Sequence, residues 1–420
     1  MRDIRAVALA AMLTPATALA TAGYYQLGYG IKAKGMGGVA IALPQDALAA
    51  ASNPAGMVWV GNRLDAGVER FVVDRGSEIV GNSLGLSGSR DANARKVFPV
   101  PDFGFNRMLG ERVSLGVSVF GNGGMTRYRD NPLAALGGSN PGGLEYVQAV
   151  VAPALAVKLG ERYSAGIALN LVVQDFVARG LEHFDDPIFS ASPGNFTNRG
   201  HDRSSGVGVR LGGLARFSDG LSVGASYQPR IRMGRFENYK GLLADHGNFD
   251  VPENYGLGAA LTVAPGVTVA GDLQRINFAG VRSLGARFDC FPERCLLGAS
   301  DGPGSGWRNT TVYKAGIAYE PRPDLALRAG VAWLRQPIPE SQTLLNIFAP
   351  AVTERHITLG ATLRLSRSWE LSASYMRAVG ATLYGSSSIP AGPPPGGVGG
   401  GEANLRMNQS ALGVSLGWRY

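Results

Sequence analysis

The sequence is dominated by runs of about ten residues in which apolar side chains alternate with small or polar ones. The last run is A-L-G-V-S-L-G-W-R-Y, where Leu412, Val414, Leu416, Trp418 and Tyr420 alternate with Gly413, Ser415, Gly417 and Arg419. The same scheme puts Val113, Leu115, Val117 and Val119 on one side of V-S-L-G-V-S-V-F. It puts Leu325, Leu327, Val331 and Trp333 opposite Arg328. A period of two marks strands with one apolar face. About ten residues is also the length a tilted strand needs to cross a bilayer. The second face is Gly, Ser, Thr, Arg and Asn, which suits a polar lumen.

Short turns and long loops count the strands. L-G-E-R (109–112), L-G-E-R (159–162), S-D-G (218–220), A-P-G (264–266), R-P-D (322–324) and S-R-S (366–368) each separate two alternating runs. Between them lie long stretches rich in Gly, Pro, Asn and Asp, near 74–96, 121–144, 180–204, 236–251, 279–308, 335–353 and 381–403. Six short turns and seven long loops predict fourteen strands in an all-β transmembrane antiparallel barrel over residues 61–420, with the short turns periplasmic. The composition agrees: 17% of the residues are charged and 60 of 420 are glycine, below and well above ordinary globular usage respectively. Lipid tolerates no open sheet edge, so the last strand must pair with the first, and the chain can end in mid-strand. Trp418 and Tyr420 are then expected in an interfacial aromatic girdle. The terminal aromatic also resembles the C-terminal signal that outer-membrane proteins present to the barrel-assembly machinery.

The N-terminus assigns the compartment. Arg2 and Arg5 precede an apolar run from Ala6 to Leu13, followed by small residues at Ala18 and Ala20. This reads as a secretory signal peptide over residues 1–20. The formal charge is +8, and removing two arginines and one aspartate with that segment leaves +7. Without a clustered basic run this excess implies no nucleic-acid partner. It suits a monomer facing outer-membrane lipid and lipopolysaccharide at a Gram-negative surface. Cys290 and Cys295, spaced C-F-P-E-R-C, read as a small loop disulfide in an exported protein. The spacing and the lack of nearby histidines argue against a metal or redox site.

Residues 21–60 do not alternate. They are rich in Gly and Ala, with one short helix expected over Asp46 to Ala51. So apolar a segment is a poor periplasmic tail, and it is expected inside the barrel as a plug, or hatch. The order A-G-Y-Y-Q-L-G, a Gly-rich stretch, then D-A-L-A-A-A-S-N-P-A-G resembles the start of the FadL family of outer-membrane transporters of hydrophobic compounds. Asn53, Pro54 and Ala55 match that family's N-P-A hatch signature. Further matches are F-G-F-N-R-M-L-G-E-R-V-S-L-G-V-S-V-F-G-N-G-G (103–124), V-P-E-N-Y-G-L-G (251–258) and A-G-V-A-W-L-R-Q-P-I-P (329–339).

The resemblance implies a kink in the third strand that opens a hole in the wall beside the hatch. Gly124 is the best match, with Gly121 and Gly123 as alternatives; glycine inside a strand permits a bend. The other reading is that these glycines begin the 121–144 loop. The resemblance also implies a basic residue for a ligand carboxylate, and Arg308 lies where the family carries one. Asp175 stands near the place of a second basic residue, which leaves room for an uncharged aromatic or alkyl cargo. The implied function is passive uptake of long-chain fatty acids or other hydrophobic compounds, with lateral exit through the wall. The alternative is a water-filled porin for small polar solutes. No enzyme, cofactor or metal site is expected: His183, His201, His246 and His356 fall in loops or at strand ends with no nucleophile beside them, so the Ser-His-acid arrangement is missing.

Overall fold

The structure is a computed structural model that describes residues 22–218, 220–393 and 397–420. The signal peptide read at 1–20 lies outside the described residues. Fourteen antiparallel strands form the wall. The first seven are β1 (Arg63–Val80), β2 (Val97–Leu109), β3 (Val113–Met125), β4 (Gly143–Leu159), β5 (Tyr163–Arg179), β6 (Asp202–Arg216) and β7 (Leu221–Gln228). The remainder are β8 (Asn254–Ala264), β9 (Val267–Ile276), β10 (Thr310–Arg322), β11 (Leu325–Leu334), β12 (Arg355–Arg364), β13 (Trp369–Leu383) and β14 (Glu402–Arg419). Each pairs with its sequence neighbours, and β14 returns to β1. That closing ladder runs from Arg63↔Arg419 to Val80↔Glu402.

All six short turns fall where the sequence places them, because each breaks the alternation with residues that favour reversal. On the other end the strands outgrow the expected ten residues. β4 and β5 have 17 residues and β14 has 18. These extensions carry the pairing beyond the apolar band. A further short strand, Gly88–Asp91, pairs with Gly76–Ile79 of β1. The predicted 74–96 loop had concealed it.

Burial follows the alternation. Along β13, Leu371, Ala373 and Tyr375 are exposed, while Ser372 and Ser374 between them are buried. The exposed apolar residues form the outside of the cylinder, and the buried small ones face the hatch. Trp418 stacks on Trp369 at 5.9 Å between ring centres. The Tyr420 hydroxyl donates to the Asn106 carbonyl at 3.2 Å, so the last side chain is held across the seam.

The hatch occupies the lumen. It contains α1 (Ile31–Lys34), α2 (Ala49–Ser52) and a 3-10 turn over Pro54–Trp59. The helix expected from Asp46 begins three residues later. The Asp46 carboxylate instead accepts from the Leu48 amide at 3.0 Å, a local bond that competes with helix. Among the described residues no helix is long and apolar enough to cross a membrane.

The facing makes a direct prediction. Leu169 of β5 is 42% exposed on the outer face. Leu169→Arg should cost about 2–4 kcal/mol of barrel stability, as a charge does near the midplane on the lipid face. Glu111→Arg, in an exposed turn, should cost little. Heat-modifiable folded barrel on gels measures both, and equal yields would contradict the assigned facing.

Candidate functional site

The lower part of the hatch is clamped by buried charge. Lys32 of α1 pairs with Glu370 of β13, and Arg63 pairs with the same carboxylate and with Asp65 at 2.6 Å. Arg419 reaches the other Glu370 oxygen at 3.0 Å, and the Ala47 amide donates to Asp65 at 2.8 Å. Lys34 lies 3.5 Å from Glu69 and 3.8 Å from Asp102. Burial, with Asp65 beside it, pushes the Asp46 carboxyl up to about 7 against the pull of Lys32 and Arg63. Breaking a buried pair by removing one partner leaves an uncompensated charge, at about 3–5 kcal/mol, so this end is fixed.

The N-P-A turn is seated just as closely. The Asn53 side chain accepts from the Ala55 amide at 3.1 Å and donates to the Ile41 carbonyl at 2.7 Å and the Gly213 carbonyl at 3.0 Å. The first bond is an N-cap to the 3-10 turn. The turn approaches the wall at two glycines the sequence reading did not single out. A Cβ on Gly212 would stand 2.0 Å from Asn53 Oδ1, and one on Gly166 2.5 Å from the Pro54 carbonyl carbon.

Above this clamp the wall is interrupted. The β2–β3 ladder runs from Leu109↔Val113 to Phe103↔Val119 and stops. Among the described residues, no pairing joins residues 97–102 of β2 to residues 120–125 of β3. The first set continues to pair with β1, and the second with β4 up to Met125↔Glu145. Contact resumes only higher, where Asn93 bridges Arg127. Pro99 and Pro101 lie on the β2 side of the interruption and carry no amide hydrogen to offer.

The hatch supplies the missing partners from within. The Gly123 amide donates to the Tyr24 carbonyl at 3.0 Å. Asn122 Oδ1 accepts from the Gln26 amide at 3.2 Å and from the Tyr29 hydroxyl at 2.9 Å, and the Gln26 side chain donates to the Gly121 carbonyl. Burial pushes the Tyr29 phenol up to about 12, so it donates as a neutral group. Gly121, Gly123 and Gly124 therefore lie within β3, in register with β4, and not in the following loop. A Cβ on Gly124 would meet nothing within 4 Å, because Gly124 borders a cavity.

That cavity holds about 130 Å³ and lies between the loops, the hatch tip and the upper wall. Tyr24, Tyr146, Phe176, Phe249, Trp307 and Phe348 line it with several leucines. Tyr24 meets Tyr146 edge-on at 5.1 Å, and Tyr146 meets Phe249 at 4.7 Å. Arg75 is its single charged lining residue. Two of its nitrogens donate to the Val73 carbonyl at 3.4 Å and the Arg95 carbonyl at 3.1 Å. Its Nε finds no partner among the described residues. Arg308, expected to face a ligand carboxylate, is exposed and does not line the cavity. Sequence reading missed Arg75, whose inward direction follows only from counting along β1.

Around the hatch segment from Tyr25 to Ile41, the hatch and wall form a small polar chamber. Arg210 donates to Gln228 at 2.8 Å, Lys314 donates to Gln274 at 3.0 Å, and the Ala40 and Ile41 amides donate to Asp272 at 2.8 and 3.1 Å. Its free volume is about 30 Å³. Cys290 and Cys295 are joined in the 279–308 loop. Asp175 takes His201 at 2.6 Å and Arg203 at 3.2 Å at the rim of β5.

Comparison with known proteins agrees with this architecture. The family model described as outer membrane protein transport protein (OMPP1/FadL/TodX) matches residues 7–386. The chain is similar in structure to the Pseudomonas putida toluene transporter TodX, at 15% identity and a TM-score of 0.68, covering 95% of this chain and 100% of that one. It is similar to a Pseudomonas aeruginosa FadL homologue, at 15% identity and a TM-score of 0.67, covering 94% and 99%. The Ralstonia pickettii toluene transporter TbuX gives 15% identity and a TM-score of 0.62 over the same shares. No curated protein matches.

The seating of the hatch is testable. Gly212→Leu should drive the side chain into Asn53 and displace the N-P-A turn while leaving the strands paired. Reconstituted in planar bilayers, this variant should conduct ions where the wild type is closed. A closed variant of wild-type folded yield would show that the turn does not depend on this contact.

Proposed function

Because the chain belongs to the outer membrane protein transport family (OMPP1/FadL/TodX), we propose that it takes up small hydrophobic compounds passively and releases them sideways through the wall. One observation carries the reading: the apolar cavity and the β2–β3 interruption share Gly124. An apolar solute entering from the loops gains about 25 cal/mol per Å² of surface removed from water. The direct way down crosses the polar chamber and the clamped hatch, where an apolar solute would strand buried polar groups without partners. The way sideways crosses glycine and proline and ends in hydrocarbon. The proteins named as toluene transporters among the similar structures are consistent with an aromatic cargo. The occupied lumen disfavours a water-filled porin.

Arg75 decides between two kinds of cargo. Its unpartnered Nε at the edge of an apolar cavity suits the carboxylate of a long-chain fatty acid, while the rest of the lining takes rings or alkyl chains equally. We assign it, and not Arg308, as the headgroup contact when the cargo carries one.

Two variants test the route and the cargo. Gly124→Phe should fill the junction between cavity and interruption without moving backbone, so uptake of labelled toluene and oleate by whole cells should fall several-fold at wild-type folded yield. Uptake at the wild-type rate, at equal folded yield, would remove the lateral route. Arg75→Gln should weaken oleate binding by about 1.5–3 kcal/mol, the worth of hydrogen bonds to a charged group, and leave toluene binding unchanged. Equal losses for both ligands would make Arg75 a structural residue only.

A further inference from the structure

The apolar belt around the outside of the barrel is not of even height. On β5 the outward residues from Tyr163 through Ile167, Leu169, Leu171 and Val173 are apolar and exposed. The first outward charge there is Asp175, twelve residues beyond Tyr163. On β1 the outward series is Leu64, Ala66 and Val68, and then Arg70. On β13 it is Trp369, Leu371, Ala373 and Tyr375, and then Arg377. On β14, Leu412 is followed by Ser410, Asn408 and Arg406.

Depth follows from strand geometry. At a rise of about 3.4 Å per residue and a tilt of about 40°, six residues lift roughly 15 Å, eight roughly 21 Å and twelve roughly 31 Å. Leu64 pairs with Trp418 and Trp418 with Trp369, and at that tilt each step between strands about 4.8 Å apart shifts the level by only about 3 Å. Counting from those residues, Arg70 lies in the outer-leaflet half of an apolar band about 25 Å tall. Arg377 lies near its outer boundary and Arg406 above it. On the opposite side of the barrel that depth is hydrocarbon.

We propose that this face of β13, β14 and β1 binds a phosphate group of an anionic outer-leaflet lipid through Arg70 and Arg377, with Arg406 above them. Both Arg70 and Arg377 are exposed, and neither pairs with a carboxylate among the described residues. Their ladder neighbours carry no charge: Leu412 and Pro99 flank Arg70, and Ile357 and Ser410 flank Arg377. Of the acids on the outward parity of these strands, Asp74 is held by Arg406 at 3.2 Å and by Asn93 at 3.0 Å, and Glu78 and Glu402 lie farther along their strands, near the loop end. A guanidinium facing hydrocarbon is costly, and its stem lets the head rise toward the interface. Its planar fork matches phosphate oxygens. The lipid that supplies phosphate at this level on the outer leaflet of a Gram-negative outer membrane is the phosphorylated lipid A of lipopolysaccharide. Arg70 is paired to Pro99, so the bound lipid stands beside the wall interruption.

Native mass spectrometry of the full barrel in detergent tests the site, with fold checked by heat modifiability. The probes are bis-phosphorylated lipid A, its enzymatically dephosphorylated form, and inorganic phosphate as competitor. Wild-type barrel should hold bis-phosphorylated lipid A, and Arg70→Gln with Arg377→Gln should weaken that binding about tenfold or more, as loss of charge-assisted hydrogen bonds does. Arg294→Gln, in an exposed loop, should not weaken it. Dephosphorylated lipid A should bind wild type no better than intact lipid A binds the double variant. Equal binding by wild type and double variant, or equal binding of both lipid forms, overturns the proposal. Displacement of the lipid by millimolar inorganic phosphate overturns it in favour of a free-anion site. A dimer mass that is lost in the double variant overturns it in favour of a second copy of the chain. Where the double variant does not fold, Arg377→Gln alone replaces it, and undiminished binding there counts against the site.

Discussion

The structure depends on one constraint: inside a bilayer every backbone amide and carbonyl needs a partner from the protein itself. That forces closure, and the ladder between β1 and β14, paired from Arg63↔Arg419 to Val80↔Glu402, is the closing seam. The pairing of the last strand with the first follows from it. One place meets the rule in another way. Between residues 97–102 and 120–125 the two neighbouring strands do not pair, and the open backbone of β3 is answered from inside by Tyr24 and Gln26 of the hatch. Proline on the facing strand removes two donors that would otherwise stand unpaired in lipid. The interruption is thus compatible with the bilayer only while the hatch tip is in place or a ligand or lipid substitutes for it.

The hatch is unevenly held. Its lower half is fixed by Lys32, Arg63, Asp65 and Glu370, in surroundings where an orphaned charge is expensive, and by the Asn53 side chain against bare glycine backbone. Its tip, from Tyr24 to Tyr29, is held to β3 by neutral hydrogen bonds worth about 0.5–1.5 kcal/mol each and by ring contacts such as Tyr29 on Phe120 at 4.3 Å. The same tip walls the cavity. A difference of this size between the two ends assigns rigidity to the base and adaptability to the tip.

Much of this was legible in the sequence. Period-two alternation with small residues on the second face gave the barrel, and the six turns gave the strand count, because both depend on local chemistry. The break of alternation before Arg63 gave the hatch. What was hidden depends on register, which no single strand reveals. The wall interruption appears only when β2 and β3 are aligned and six pairings are found missing; F-G-N-G-G shows that the strand can bend without saying where its partners go. Arg75 looks like a rim charge until its inward parity is counted from Arg63. Arg308, expected to meet a ligand, lies exposed in the loop before β10, with its backbone amide donating to the Pro337 carbonyl at 2.8 Å. Gly166 and Gly212 sit among 60 glycines, and only the approach of Pro54 separates them from the rest.

These pieces bear on how a passive carrier can bind and still release. An apolar cavity that fits its cargo well holds it in proportion to buried area, so tight capture and quick escape oppose each other. Here the wall of the cavity that faces the β2–β3 interruption is the hatch tip itself, joined to β3 by bonds that are individually weak. A solute that displaces Tyr24 loses ring contacts with that residue, while the freed Gly123 amide and Gly121 carbonyl lose their partners at the same step. Capture and opening are then one equilibrium, and its position is set by how nearly the cargo's contacts replace those of Tyr24, Gln26 and Tyr29. On the proposed route, a solute too small to replace them stays above a closed wall. One that replaces them stands at an opening whose far side is hydrocarbon. On that route the charged base does not have to move, because the contacts that a solute must replace are the few neutral ones at the tip.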